Sequence, residues 1–336
     1  MHKYHDLYLA PGLHKNYEKQ VVALDQIYAK ANSVNILQKN ILASKLQSGP
    51  IKPNYFAAKG YHFEDSDGII FNSADLFYKR FRVASNIDLG VDVGVFSIEK
   101  KGLIKHNGIR YGVSLSYNYF TFRLGKNNFD DFSEIVPTIQ YNNNYKNHSY
   151  ILEYTRQNGL FYTYSLCTYN NRIKTDHFSI SDYINLQDHS NVWANVTANN
   201  YSNGDLGLIG QFDWRFHYKT MLDKKLTYNF ALDGYYTTHT KQNDCFYSPN
   251  FDDGTYLRID PDYRVNKYFS VLGMLGAGYS FHAKQILYKY GLWLHGDSLA
   301  NLSYKLGCMQ SNSTRSGLGG NGYHSHECKA ELEYRW

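Results

Sequence analysis

The chain has 336 residues, 17% of them aromatic, with 33 Tyr and 19 Phe against only 6 Pro, and a formal net charge of +5. A mean hydropathy of -0.52 goes with no run of about 18 apolar residues, which excludes a transmembrane helix, and no block of basic residues points to nucleic acid. The same polarity suits a soluble protein or a membrane barrel with wet loops and lumen, and the tyrosine excess favours the barrel, whose two interfaces carry aromatic girdles.

The first residues, "MHKYHDLYLAPGLHK", lack the basic start, apolar core and small-residue cleavage site of a secretory signal. The chain is therefore read either as cytosolic or as part of a longer protein, and residues 15–48 favour the second. Tyr17, Val21, Leu24 and Tyr28 recur at helical spacing, as do Leu37, Ile41 and Leu46, with Asn32 and Ser33 between them and Gly49-Pro50 closing the pair. Two antiparallel helices in about 34 residues make one tetratricopeptide-sized unit. Such a unit cannot bury its apolar face alone, so further repeats are expected upstream. The other reading is a helical hairpin that caps a barrel. The expected division is a helical hairpin over 1–50 and a barrel over 51–336.

After Pro53 the period falls to two. In "IDLGVDVGV", Ile87, Leu89, Val91, Val93 and Val95 oppose Asp88, Gly90, Asp92 and Gly94, and in "GIRYGVSLSY", Ile109, Tyr111, Val113, Leu115 and Tyr117 oppose Arg110, Gly112, Ser114 and Ser116. In "LGLIGQFDWRFHY", Phe212, Trp214 and Phe216 oppose Gln211, Asp213 and Arg215. One face is apolar and the other is Gly, Ser and charge, which fits lipid on one side and a wet lumen on the other. Strands are predicted near residues 55, 70, 87, 108, 119, 135, 148, 160, 192, 206, 225, 254, 267, 286, 299 and 326. The even count returns the chain to its starting side, and closure of so long an antiparallel array removes its edges. Lys174 to Asn191 is predicted as a long connection in which Ser179 or Ser181 caps a short helix, with a missed strand pair as the alternative.

The final strand, "CKAELEYRW", puts Ala330, Leu332, Tyr334 and Trp336 on one side and Lys329, Glu331, Glu333 and Arg335 on the other. The predicted lumen set is Arg80, Arg82, Asp88, Asp92, Arg110, Arg123, Glu153, Asp213, Arg215, Asp233, Trp293 and Lys305, joined by Glu331, Glu333, Arg335 and Tyr235. Taken singly, each charge is best read as one rung of a cross-strand ladder. Taken together, the set lines a hydrated conduit of mixed sign, with Tyr235 and Trp293 as platforms for sugar rings.

The helical unit, "EDSDG" (Glu64 to Gly68), "YSNGD" (Tyr201 to Asp205), "FYSPNF" (Phe246 to Phe251) and the terminal aromatic occur in an order that resembles the outer-membrane exporters of poly-N-acetylglucosamine, cellulose and related polysaccharides. The resemblance covers residues 15–336. It implies a periplasmic tetratricopeptide scaffold joined to a C-terminal barrel of sixteen strands, in the bacterial outer membrane. It implies as partners a polysaccharide substrate, outer-membrane lipid, periplasmic or inner-membrane synthase components, and the barrel-assembly machinery. That machinery would read Lys329, Leu332, Tyr334 and Trp336 as an assembly signal, although Glu331 stands where the signal carries Gly and Trp replaces Phe. With the C-terminus periplasmic, "NNFDDFS", "TKQNDCFYSPNFDDG" and residues 309–324 fall on the outer face.

Other chemistry is sparse. "HSHEC" sets His324, His326 and Cys328 two apart on one face, but no fourth ligand is local, so they are read as loop decoration and no metal or cofactor is expected. His239, Ser248 and Asp244 are the residue types of a hydrolase without a surrounding nucleophile motif, and no enzyme is expected. Cys167, Cys245, Cys308 and Cys328 fit an oxidising compartment with three pairings open. Cys308 and Cys328 flank the last long loop, where a bridge and free thiols are both options. Two functional readings stay open: a polysaccharide exporter tied to a helical scaffold, and a general diffusion porin for small solutes, with an outer-membrane enzyme trailing.

Overall fold

The computed structural model describes residues 54–336 apart from 85–86, 103, 188–189, 220–224, 267, 300 and 313–322; the expected helical pair of residues 15–48 lies outside them. Sixteen strands run in order: β1 (Asn54–Asp65), β2 (Ile69–Ala84), β3 (Ile87–Lys100), β4 (Ile104–Tyr117), β5 (Phe120–Phe129), β6 (Ser133–Tyr145), β7 (His148–Asn158), β8 (Lys174–Gln187), β9 (Ser190–Tyr201), β10 (Leu206–Lys219), β11 (Leu226–His239), β12 (Asp252–Asn266), β13 (Phe269–Ser280), β14 (Gln285–Leu299), β15 (Leu302–Ser311) and β16 (Ser325–Arg335). Each pairs antiparallel with its sequence neighbour, and β1 pairs with β16, so the sheet closes as a barrel. "CKAELEYRW" is the closing strand: Ala58 opposes Leu332 and Phe56 opposes Tyr334.

The alternation works as physics requires. Val91, Val93, Val95, Ile109, Val113, Leu115, Phe212 and Trp214 all stand exposed on the outside, while Asp92, Arg110 and Asp213 point inward. An outward belt of exposed apolar side chains over every wall is unstable in water and stable in hydrocarbon, where each backbone group must bond within the sheet. Among the described residues, no helix is long and apolar enough to cross a membrane.

The predicted count of sixteen holds, but one strand moves. After β7 ends at Asn158 no separate strand begins near residue 160; two short helices stand there, α1 (Leu160–Thr163) and α2 (Leu166–Asn170). The predicted long connection from Lys174 is instead β8. In β8, Phe178 and Ile180 face out while Ser179 and Ser181 align with the inward Thr197 and Asn195, a period-two pattern. "GLFYTYSLCTYN" has no such pattern. Its aromatic and aliphatic residues serve packing on several sides. The helix cap is Ser165, whose hydroxyl accepts from the Thr168 amide at 3.4 Å.

The two ends of the barrel differ. At the end holding Asn54 and Trp336, the connections after β4 and β6 are two residues each. At the other, the loop end, residues 159–173 and 240–251 make long connections. "NNFDDFS", "TKQNDCFYSPNFDDG" and the described part of 309–324 all lie there. So do "EDSDG", "YSNGD" and "FYSPNF".

Candidate functional site

Inside the barrel, ion pairs step over intervening strands, and glycine makes room for them. Asp75 on β2 and Arg110 on β4 are each registered against Gly94 of β3, and the two side chains join above it in a two-bond pair. A Cβ on Gly94 would strike the Asp75 carboxylate. One step along, Asp92 on β3 accepts from Nε and Nη2 of Arg123 on β5 at 2.8 and 2.6 Å. The strand between is crossed at Gly112, where a Cβ would sit 2.7 Å from Arg123 Nη2. The Gly and charge of the polar phase are therefore one device: a bidentate guanidinium–carboxylate bond lying flat across a glycine.

The opposite wall carries a denser group. Arg258 of β12, fully buried, donates from Nε to Asp260 at 2.8 and 2.9 Å, from Nη2 to Asp213 at 3.1 Å, and from Nη1 to Asp233. Arg215 donates to Asp213 at 2.9 and 2.7 Å. Lys289 reaches over Gly276 of β13 to Asp233 and lies 3.9 Å from the centre of the Tyr256 ring. Three carboxylates and three cations spread over four strands satisfy one another, which burial in low dielectric demands.

The predicted lumen residues thus fall into several groups. Asp92, Arg110, Arg123, Asp213, Arg215 and Asp233 enter these pairs, and Asp88 lies 3.6 Å from Lys79. Glu153 accepts from Gln140 at 3.4 Å. Trp293 is buried on the inward face between Gly291 and Gly307, and Lys305 is registered between His295 and Glu331. In the ladder Arg80 is registered against Leu89, and the register shifts between Arg80 and Ala84. The side chains of Arg80 and Arg82 lie outside the described residues. The sequence reading missed Asp75, Arg258, Asp260 and Lys289. Each sits in the polar phase of its strand, and the inward glycines Gly94 and Gly276 beside them were the available signal.

At the loop end the inward face turns aromatic, and α1 and α2 cover it. Leu160 and Tyr169 join Phe63 of β1, Phe71 of β2, Phe96 and Ile98 of β3, and Phe129 of β5 in one buried cluster. Tyr164, the left-handed residue that ends α1 (φ 47°), stacks on Phe63 at 4.7 Å. Burial pushes its hydroxyl pKa up to about 12. Since the helices leave the ring between β7 and β8, contact with β1 carries them most of the way across the mouth. Glu134 anchors the start, accepting from the Asn158 amide at 2.8 Å and from Asn127 at 3.0 Å.

A second loop completes the cover. Cys167 of α2 is bonded to Cys245 in the β11–β12 connection, and Ser165 donates to the Cys245 carbonyl. Phe246 of "FYSPNF" packs on Tyr201 of "YSNGD" at 4.7 Å. Asp205 of the same segment accepts from the amide of Lys241 at 3.1 Å and lies 2.6 Å from His239 Nδ1. His239 is thereby paired with Asp205 rather than Asp244, and Ser248 accepts from the Asn243 amide at 2.6 Å. His239 and Ser248 thus act as loop ties. Cys308 and Cys328, directly opposed on β15 and β16, form the second disulfide. His326 Nε2 lies 3.1 Å from Cys328 Sγ, and because both thiols are joined, neither is a thiolate ligand.

No protein-family model matches this chain, and no curated protein does. Among solved structures it is similar to a bacterial polysaccharide outer membrane secretin, with a TM-score of 0.68 at 9% identity, over 86% of this chain and 100% of that one. It is also similar to CdiB from Acinetobacter baumannii, with a TM-score of 0.50 at 8% identity, over 84% of this chain and 60% of that chain. The fold is that of an outer-membrane β-barrel. An anion-selective porin from Comamonas acidovorans aligns over 84% of this chain with a TM-score of 0.43 at 8% identity.

Proposed function

We propose that this chain is an outer-membrane channel that passes a polysaccharide outward, entering at the end that holds Asn54 and Trp336 and leaving through the loop end. The observation that carries the reading is the lumen: charges that cancel in place, interspersed with hydroxyls and amides, on a barrel whose full-length structural counterpart is a polysaccharide secretin. A lumen of this kind holds a polymer weakly enough to release it, as conduction requires. Residues 15–48 would stand on the entry side as the last unit of a periplasmic scaffold that takes the polymer from synthase components, and the barrel-assembly machinery would read Lys329, Leu332, Tyr334 and Trp336. No cofactor enters the reading.

Deletion of the gene tests it. Cell-bound polysaccharide should fall sharply in the null strain and return with the intact chain. Return with a chain lacking residues 15–48 should be partial while the barrel stays folded, seen as heat-modifiable gel mobility. Normal polysaccharide in the null strain, with small-solute uptake alone impaired, would instead establish the diffusion-porin reading.

A further inference from the structure

The lumen wall is not chemically uniform round the ring. On β6 to β9, the inward register comprises positions such as Thr138, Gln140, Ser179, Ser181 and Asn195, with Gln211 next to them on β10. Among the described residues of those four strands, the inward phase holds no Lys or Arg and two carboxylates, Glu134 and Glu153. Glu134 is buried beneath the mouth cover, tied to Asn127 and Asn158. The remaining groups bond lightly to one another: Asn195 donates to Ser181 at 2.8 Å, Thr197 to Asn195 at 2.9 Å and Thr155 to Thr138 at 3.1 Å.

Accessibility separates this wall from the charged ones. Thr138, Gln140, Ser179, Ser181, Asn195 and Gln211 are all half-buried and reachable from the lumen, whereas Asp213, Asp233, Arg258 and Asp260 are each no more than 5% exposed. The inward cations Lys59, Arg110, Arg123 and Lys289 each lie against a carboxylate. A polyanion passing here would have to break such a pair to use these cations as counter-charges, and a polycation would meet on this wall a single half-buried carboxylate, Glu153, which accepts from Gln140 and Thr155 at 3.4 Å each.

We infer that the β6–β9 wall is the track of the channel and that its cargo is an uncharged, hydroxyl-rich glycan; this rests on the polysaccharide reading above and narrows it to a substrate class. Hydroxyls and carboxamides both donate and accept, so each sugar hydroxyl that leaves one group finds an equivalent partner one rung on. Neighbouring rungs differ little in energy, and the chain slides.

The test is equilibrium binding to the folded full-length chain in detergent, read by tryptophan fluorescence, since Trp193 shares this wall. The probes are a neutral gluco-oligosaccharide, an oligogalacturonate and a chitosan oligomer of equal length. The neutral oligomer should bind at least tenfold more tightly than either charged one. Ser179→Lys with Asn195→Lys should reverse the order in favour of oligogalacturonate by a similar factor, and Gln140→Lys provides a second variant should the double one fail to fold. Preferred binding of a charged oligomer by the unaltered chain, binding of none, or no response to the lysines would each overturn the inference. A null strain with normal surface polysaccharide would overturn the export reading itself, so the two failures are distinguishable.

Discussion

Two walls of this barrel solve the problem of an inward face in opposite ways. On β2 to β5, the inward phase carries Asp75, Asp92, Arg110 and Arg123 with glycines between them through the middle of the wall, and then becomes Phe71, Phe96, Ile98 and Phe129 near the loop end, where α1 and α2 lie on it. On β10 to β14, the inward face keeps its charge and pairs it: Arg258 is buried among Asp213, Asp233 and Asp260. The first wall is stabilised by area removed from water, the second by mutual neutralisation. They should therefore break differently.

The largest effect is expected at Arg258. Removing one partner of a buried ionic group leaves uncompensated charge and costs about 3–5 kcal/mol, and here three carboxylates lose a shared cation. Arg258→Met should lower the temperature at which heat-modifiable mobility is lost by more than any single change on β1 to β5. Arg110→Met, which strands only Asp75 in a pair whose arginine is 25% exposed, should cost clearly less. Equal losses would mean that the two walls are not distinct.

On the aromatic wall the corresponding lesion is Leu160→Ala. Emptying a fully buried leucine site costs about 2–5 kcal/mol, but the loss should fall on the mouth cover while the barrel stays assembled. Single-channel conductance should rise, because α1 no longer seats on Phe63 and Phe96, and the mobility transition should move little. A drop in barrel stability with unchanged conductance would place the cover inside the folding core.

Across the sheet rather than around it, Val113 and Ser114 set lipid against lumen. Val113 is 58% exposed on the outside, and an arginine there costs about 2–4 kcal/mol at the bilayer midplane. Val113→Arg should reduce the fraction of chains inserted into vesicles. Ser114→Arg, facing inward opposite Gly90 and Arg123, should insert normally.

These contrasts also show what a sequence reveals about such a molecule. Strand count, closure and facing were legible because alternation at residues such as Val91 to Val95 is strictly local. The misplaced strand near 160 arose because Leu160, Phe161 and Tyr164 are apolar for a tertiary reason, a mouth to be covered, that no local period encodes. The pairs were half legible. Asp92 and Arg123 stood out as polar-phase charges, but that they meet over Gly112 depends on register between strands distant in sequence. Arg258 and Lys289 were passed over because they and their partners are spread over four strands and 77 residues of chain, from Asp213 to Lys289.

The smallest effect is expected where charge meets water. Lys59 of β1 and Glu331 of β16 lie 3.8 Å apart, with both side chains about two-fifths exposed at 43% and 42%, on the same seam that closes the ring. Exposed pairs of this kind are worth about 0.2–1 kcal/mol, since the lumen water screens the attraction and two long side chains lose freedom in meeting. Ladder hydrogen bonds between β1 and β16 hold the seam whether or not the pair forms. Lys59→Gln should thus leave the mobility transition within experimental error of the unaltered chain at both low and high salt. Its trace should appear in ion selectivity instead, as a shift toward cations that fades as salt rises, because one positive charge beside Glu331 is removed from a hydrated conduit whose screening length shrinks from about 30 Å at 0.01 M to about 3 Å at 1 M. A large stability loss would show that this pair, like Arg258 and its aspartates, is shielded from the water of the lumen.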